Sequence, residues 1–204
     1  MDGECLGEWG TGGQGDGEFW WPSYIAIDSQ DRVYIAEESL KRVSIFEKDG
    51  KFLSQWGVKG SADGQLEYPS SIAFDADDNL WLTDSGNHRV LKFTQDGQLL
   101  SAWGQQGSGP GQFQGPWGLA LTDGGDVYIS DWGNDRIQHY SADGALIEEF
   151  AGLSEGDAIH RPAGLAVDGE GNIYVADWGN ERVKVLGPDG RLLASLRGES
   201  VDSK

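Results

Sequence analysis

A β-propeller, an all-β ring of repeated four-stranded antiparallel sheets, is the fold class this sequence predicts. Three observations point to it: an internal period near 47 residues, period-two alternation of apolar residues within each repeat, and an unusual number of glycines. There are 32 glycines in 204 residues, about twice the usual share, beside only six prolines and 22 aromatic residues. That balance fits short strands joined by tight turns and excludes both disorder and a collagen-like chain.

The period is set by independent markers. Pro22, Pro69, Pro116 and Pro162 are separated by 47, 47 and 46 residues. Fifteen positions after each proline stands an acid (Glu37, Asp84, Asp131, Asp177), and twenty positions after it an arginine (Arg42, Arg89, Arg136, Arg182). Asp49-Gly50, Asp96-Gly97, Asp143-Gly144 and Asp189-Gly190 keep the same register, as do the aromatics Tyr34, Trp81, Tyr128 and Tyr174.

Each repeat resolves into four strands. After Pro69, Ser71-Ile72-Ala73-Phe74-Asp75 forms the first, and the turn Ala76-Asp77-Asp78-Asn79 leads to Leu80-Trp81-Leu82-Thr83, the second. The loop Asp84-Ser85-Gly86-Asn87-His88-Arg89 precedes the third, Val90-Leu91-Lys92-Phe93. Gln95-Asp96-Gly97 is a hairpin turn, because glycine accepts the positive φ such turns need. Leu99-Leu100-Ser101-Ala102-Trp103 is the fourth. Four such strands make one blade. The predicted units are therefore blades at residues 19–65, 66–112, 113–158 and 159–204, preceded by an extra outer strand and linker over 1–18. That extra strand is read from Asp2-Gly3-Glu4-Cys5-Leu6-Gly7-Glu8-Trp9-Gly10, which aligns with Asp49–Gly57. It duplicates the outer strand Leu192-Leu193-Ala194-Ser195-Leu196 of the last blade.

Charge narrows the function. Fifteen basic against 34 acidic residues give a net charge of −19, a field that repels nucleic-acid phosphates and anionic bilayers. Neither nucleic acid nor a membrane is expected as a partner. No apolar run reaches transmembrane length, and Met1-Asp2-Gly3-Glu4 does not open a secretory leader. The single cysteine, Cys5, rules out an intrachain disulfide and a cysteine metal cluster, and leaves the compartment open.

The repeats resemble those of the NHL-repeat propellers. The carriers are Pro162-Ala163-Gly164-Leu165-Ala166-Val167-Asp168, Gly171-Asn172-Ile173-Tyr174-Val175-Ala176-Asp177-Trp178-Gly179-Asn180-Glu181-Arg182-Val183, and the linker from Trp103-Gly104 to Gly111-Gln112-Phe113. The resemblance implies a propeller, usually of six blades, which at this period would need about 280 residues. The shortfall leaves three forms open: a piece of a longer propeller, a chain that assembles with copies of itself, or a four-bladed ring. Blade 1 departs most from the pattern, with Glu37-Glu38-Ser39-Leu40-Lys41-Arg42 in place of the Asp-x-Gly-Asn loop. The resemblance also implies kinship with RNA-binding domains, a role the charge opposes, and with metal-dependent lyases and hydrolases.

Candidate functional residues separate by register. Asp84, Asp131 and Asp177 with Arg89, Arg136 and Arg182 recur in three blades, as loop-closing pairs should and as contacts to an asymmetric ligand should not. Trp9, Trp56, Trp103 and Phe150 recur and belong to the packing between blades, as do the linker plugs Phe19, Leu66, Phe113 and Ile159. Trp117 stands where the other blades have Ser23, Ser70 and Ala163, and Trp132 and Trp178 stand where blades 1 and 2 have Glu38 and Ser85. The three tryptophans stand in loops at one end of the ring, where Glu38 and His88 also fall. They offer either a stacking surface for a sugar or peptide side chain, or cover for a neighbouring blade or an assembly interface.

No metal or cofactor site is expected. Asp75-Ala76-Asp77-Asp78-Asn79 lacks the glycine and glutamate that a calcium loop needs at its sixth and twelfth positions, where Leu80 and Gly86 stand. His88, His139 and His160 fall in different blades, with His139 at a strand position, so no catalytic set is assembled. The function read from sequence is a non-catalytic binding or assembly scaffold; the alternative is a metal-dependent lyase or lactonase-like hydrolase. The expected partners are a second copy of the chain, through the blade edges and the Cys5–Trp9 strand, and a peptide or carbohydrate ligand.

Overall fold

The computed structural model describes residue 5 and residues 7–151 and 158–197. A short parallel pair, β1 (Thr11–Gly12) with β2 (Glu18–Phe19), opens the chain. Four antiparallel sheets follow in sequence order. Blade 1 is β3 (Pro22–Ile27), β4 (Val33–Glu37), β5 (Arg42–Phe46) and β6 (Phe52–Trp56). Blade 2 is β7 (Pro69–Phe74), β8 (Leu80–Asp84), β9 (Arg89–Phe93) and β10 (Leu99–Trp103). Blade 3 is β11 (Pro116–Leu121), β12 (Val127–Asp131), β13 (Arg136–Tyr140) and β14 (Leu146–Phe150). Blade 4 is β15 (Pro162–Val167), β16 (Ile173–Asp177), β17 (Arg182–Leu186) and β18 (Leu192–Leu196).

Because side chains alternate across a strand, every blade has two apolar faces, one toward its predecessor and one toward its successor. The first seam joins Tyr34, Ala36, Val43 and Ile45 of blade 1 to Ile72, Leu80, Leu82 and Phe93 of blade 2, with Leu66 from the linker in the same cluster. The next seams repeat this around Phe113 and Ile159. Along the inner edge, hydroxyls tie successive blades. Ser23 donates to the Pro69 carbonyl at 3.0 Å, Thr83 to that of Trp117 at 2.8 Å, and Ser130 to that of Ala163 at 2.6 Å.

The recurring aromatics seal the outer part of each seam. The ring of Trp56 lies on the hairpin glycine of blade 2, so close that a Cβ on Gly97 would sit 2.5 Å from the indole. Trp9 on Gly50 and Phe150 on Gly190 repeat the contact. Glycine meets two demands there, a positive φ of 85° at Gly97 and room for an indole.

One element differs from expectation. Gly7–Gly10 belong to no strand, and Leu6 lies outside the described residues, so the outer strand expected over Cys5–Trp9 is not formed by the described part of the segment. An outer strand needs a third strand beside it. That of blade 4 is already taken, since Leu192–Leu196 pair with Arg182–Leu186. The leading segment supplies the β1–β2 pair instead.

The blades do not close on themselves. β3 packs on β7, β7 on β11 and β11 on β15, but no comparable contact joins β15 to β3. The described residues form an open arc, not a four-bladed ring. Residues in one register show it: Ile72, Leu119 and Leu165 are 1%, 2% and 7% exposed, whereas Ile25 in blade 1 is 58% exposed. At the other end Val43, Val90 and Ile137 are fully buried, whereas Val183 is 38% exposed.

The glycine contacts can be separated from backbone strain. Gly97→Ala and Gly111→Ala both put a side chain at positive φ, at about 1–2 kcal/mol each, but Gly111 has open space around it and Gly97 has Trp56. In thermal melts Gly97→Ala should lower the midpoint clearly more. Equal losses would mean that the indole contact contributes nothing.

Candidate functional site

The repeated loops position everything at this end of the arc. In blade 2, Asp84 Oδ1 accepts the backbone N–H groups of Glu67 (2.9 Å) and Tyr68 (3.0 Å), while Oδ2 accepts Asn87 Nδ2 and Arg89 Nε. Arg89 reaches on to the carbonyls of Ser61, Ala62 and Gln65 in the preceding linker. Asp131 likewise takes the Gln114 N–H and Arg136 Nε, and Arg136 holds the carbonyls of Ser108, Gly109 and Gln112. Asp177 takes the His160 N–H and Arg182 Nε, each at 2.7 Å. In blade 1 Glu37 replaces aspartate and binds the Trp20 N–H, Arg42 Nε and Ser44 Oγ. All four carboxylates are buried. These groups are spent on fastening linkers to blades and present nothing to a ligand.

The loop end carries a recess of about 300 Å³ lined by Glu38, Tyr68, Ser85, Gly86, Gly115, Trp117 and Trp132. Trp117 follows Pro116 at the start of β11, inside the register shift between Pro116 and Leu119, and is 44% exposed. Trp132 opens the single 3-10 turn after Asp131, and its N–H is held by the Gly115 carbonyl at 3.3 Å. The Arg161 guanidinium lies 4.9 Å from the centre of its ring. Tyr68 is 42% exposed, with Lys41 Nζ 3.5 Å above its ring. Burial holds the Lys41 ammonium below the ordinary lysine range, although Glu67 and Glu38 nearby favour its charge. The recess therefore combines flat aromatic surface with one carboxylate, Glu38.

The structure thus brings together Trp117, Trp132 and Glu38 of the residues expected from sequence, and separates the others. Trp178, 61% exposed, lines a different hollow of about 630 Å³ at the outer face of blade 4, with His160, Arg161, Arg182, Val183 and Leu196. His88 is tied into the scaffold, its Nδ1 accepting the Gly115 N–H at 3.0 Å. His139 stacks on Tyr128 within blade 3. Tyr68 and Arg161 were not expected; both directly precede a repeat proline, where Trp21 and Gly115 stand in the other blades. This lack of repetition is the signal that marks them. The Asp75 segment is a hairpin turn in which Asp75 binds the Asp77 and Asn79 N–H groups, Trp81 Nε1 and Lys92. Among the described residues no cluster of three or more His, Cys, Asp or Glu is arranged to hold a metal ion.

Comparison with known proteins agrees with the geometry. The NHL repeat family matches residues 66–93, 113–140 and 160–186, the inner three strands of blades 2, 3 and 4. Blades 2, 3 and 4 therefore carry NHL repeats arranged as β-propeller blades, and the divergent blade 1 is the one left unmatched. No curated protein matches the sequence. Among solved structures it resembles virginiamycin B lyase from Staphylococcus aureus, a catalytically inactive variant with quinupristin, at TM-score 0.68 and 15% identity over 90% of this chain and 57% of that one. It also resembles a gluconolactonase from Xanthomonas campestris at TM-score 0.64 and 24% identity, over 86% of this chain and 61% of that one. A Bacteroides caccae protein of unknown function gives TM-score 0.65 at 14% identity, over 89% of this chain and 62% of that one. The chain spans less than two thirds of the length of each, and these identities establish the shared fold alone.

Two outcomes test the loop clamps. Asp131→Ala leaves Arg136 and the Gln114 N–H without their buried partner and should cost about 3 kcal/mol in denaturant unfolding; an unchanged midpoint would contradict the structural role. The second concerns acid. Burial alone would raise the Asp177 carboxyl, but the His160 amide, Arg182 and Asn180 outweigh it and hold the group below its ordinary value. A carboxyl lowered in the folded state stabilises above its unfolded value, about 4, and that contribution is lost as pH falls through the folded value. Melting temperature should therefore drop below about pH 4, and Asp177→Asn should show a shallower drop over the same interval.

Proposed function

We propose that the chain is a non-catalytic binding scaffold whose ligand seat is the recess formed by Tyr68, Trp117 and Trp132. The observation that carries this reading is that two indoles outside the four-fold repeat, Trp117 in blade 3 alone and Trp132 matched only by Trp178, line one recess at the loop end, while the aromatics that recur in every blade are used for packing. Trp117 is exposed and Trp132 half-buried, and indole surface left open forgoes burial energy, so a partner that covers it explains the placement. Glu38 in the wall and the net charge of −19 favour a peptide that presents a basic or flat side chain. A carbohydrate is the second reading, supported by the accessible flat face of Trp117.

The metal-dependent lyase or lactonase-like alternative draws on the names of two structural neighbours. It would need acid, base or metal ligands converging on one site, whereas the carboxylates of the loops are committed to arginine and backbone groups. Arrays of basic peptides and of oligosaccharides, probed with the whole protein, separate the ligand classes. Trp117→Ala should weaken the selected ligand by about tenfold or more, while the melting midpoint moves by no more than about 3 °C. Unchanged affinity would exclude the recess as the ligand seat.

A further inference from the structure

The two ends of the arc are the two halves of a seam that the chain already builds three times. In each internal seam the linker carries a plug, Leu66, Phe113 or Ile159, which is buried against the preceding blade's Val43, Val90 or Ile137. The glycine that begins the linker rests on the backbone of the loop before that same strand. A Cβ on Gly57 would meet the Lys41 carbonyl and Arg42 Cα, and one on Gly104 would meet the His88 carbonyl.

The leading segment repeats this linker. Gly13 N–H binds the Phe19 carbonyl at 3.0 Å, as Gly60 binds that of Leu66 and Gly107 that of Phe113. Gly10 has a positive φ close to those of Gly57 and Gly104, yet the three atoms its Cβ would meet first, out to 3.6 Å, all belong to Phe19 and none to a strand-loop backbone. Phe19 packs on Phe46 of its own blade and is only half-buried, and no described blade stands on its other side. At the far end, the hollow beside Val183 and Leu196 is where a following plug would sit, and the Glu181–Arg182 backbone is where a following glycine would rest.

We infer that a second copy of the chain completes the seam: the Gly10–Phe19 linker and the Ile25 face of one copy dock against the Val183 hollow and the Tyr174 face of another. Two such head-to-tail seams join two arcs into an eight-bladed ring, within the usual range of closed propellers. Residues 10–19 carry Asp16 and Glu18 and no base, and the hollow offers them Arg161 beside Glu181, its Arg182 and His160 being already paired with Asp177 and Asp135. The new seam lacks one internal feature. Ala176 stands where Thr83 and Ser130 donate to the next inner strand, so the association is weaker than an internal seam and depends on concentration. This inference stands apart from the ligand recess, which lies within blades 1–3.

Sedimentation velocity and light scattering on the full chain test it. The expected result is the mass of two chains at high micromolar concentration, falling toward one on dilution. Val183→Asp, on an accessible side chain, and Phe19→Asp should each give the mass of one chain, with far-UV circular dichroism unchanged for Val183→Asp. Leu196→Asp serves as a second blade 4 variant. Mixing Phe19→Asp with Val183→Asp should restore a two-chain species, because one seam then has both halves intact; a contact between like ends could not be restored in this way. Ala176→Thr should shift the dissociation to lower concentration. The mass of one chain at every concentration would overturn the inference and leave the ends to other blades. So would a two-chain mass insensitive to Val183→Asp and Leu196→Asp, or an open ladder of larger masses.

Discussion

A buried carboxylate paired with arginine underlies every part of this structure. Taken alone, a charge out of water costs several kcal/mol, and here each is compensated by several partners at once. Asp131 is bonded to the Gln114 amide, Asn134, Arg136 and Gln138, and Arg136 is bonded to three linker carbonyls and to Glu149. The pair therefore turns a flexible glycine-rich linker into a fixed one. A fixed linker aims its plug between two sheets, and the plug with the sheet faces forms the seam. Among the described residues no α-helix covers a sheet, so these seams are the core.

Much of this was legible from the residues. The repeated prolines, Asp-Gly turns and period-two strands specify blade boundaries, because each marker has a fixed backbone requirement. The plugs Leu66, Phe113 and Ile159 and the sealing aromatics were readable from register alone. What register could not show is reach. That Arg89 passes its aspartate to bind the Ser61, Ala62 and Gln65 carbonyls depends on how the linker folds back, which no local pattern encodes. The leading segment illustrates the opposite error: it shares the sequence of an outer strand, but strand formation needs a partner, and the third strand of blade 4 already has one.

The candidate site was legible by contrast. Trp117 occurs in one blade and Trp132 in a register tryptophan fills in only two, and both line one recess. Trp178 occupies the same register as Trp132 yet faces a different hollow. The reason is positional: Trp132 is flanked by the Pro162 linker, whose Arg161 lies on its ring, whereas no described blade follows Trp178. Equivalent residues in a repeat protein thus acquire different roles according to whether a neighbour exists. The same rule divides Ile25 from Ile72, and Val183 from Ile137.

Each blade is stabilised by the seams it shares, so the ends of the arc hold only half of what the middle holds. Native-state hydrogen exchange measures this directly, residue by residue. In dilute protein, amides of β8 and β12 should exchange only with global unfolding, and those of β3 and β17 should exchange through smaller local openings. Where two copies complete the seam as inferred, protection should rise at both ends together at high concentration. Uniform protection along the chain at low concentration would contradict the dependence of each blade on its seams.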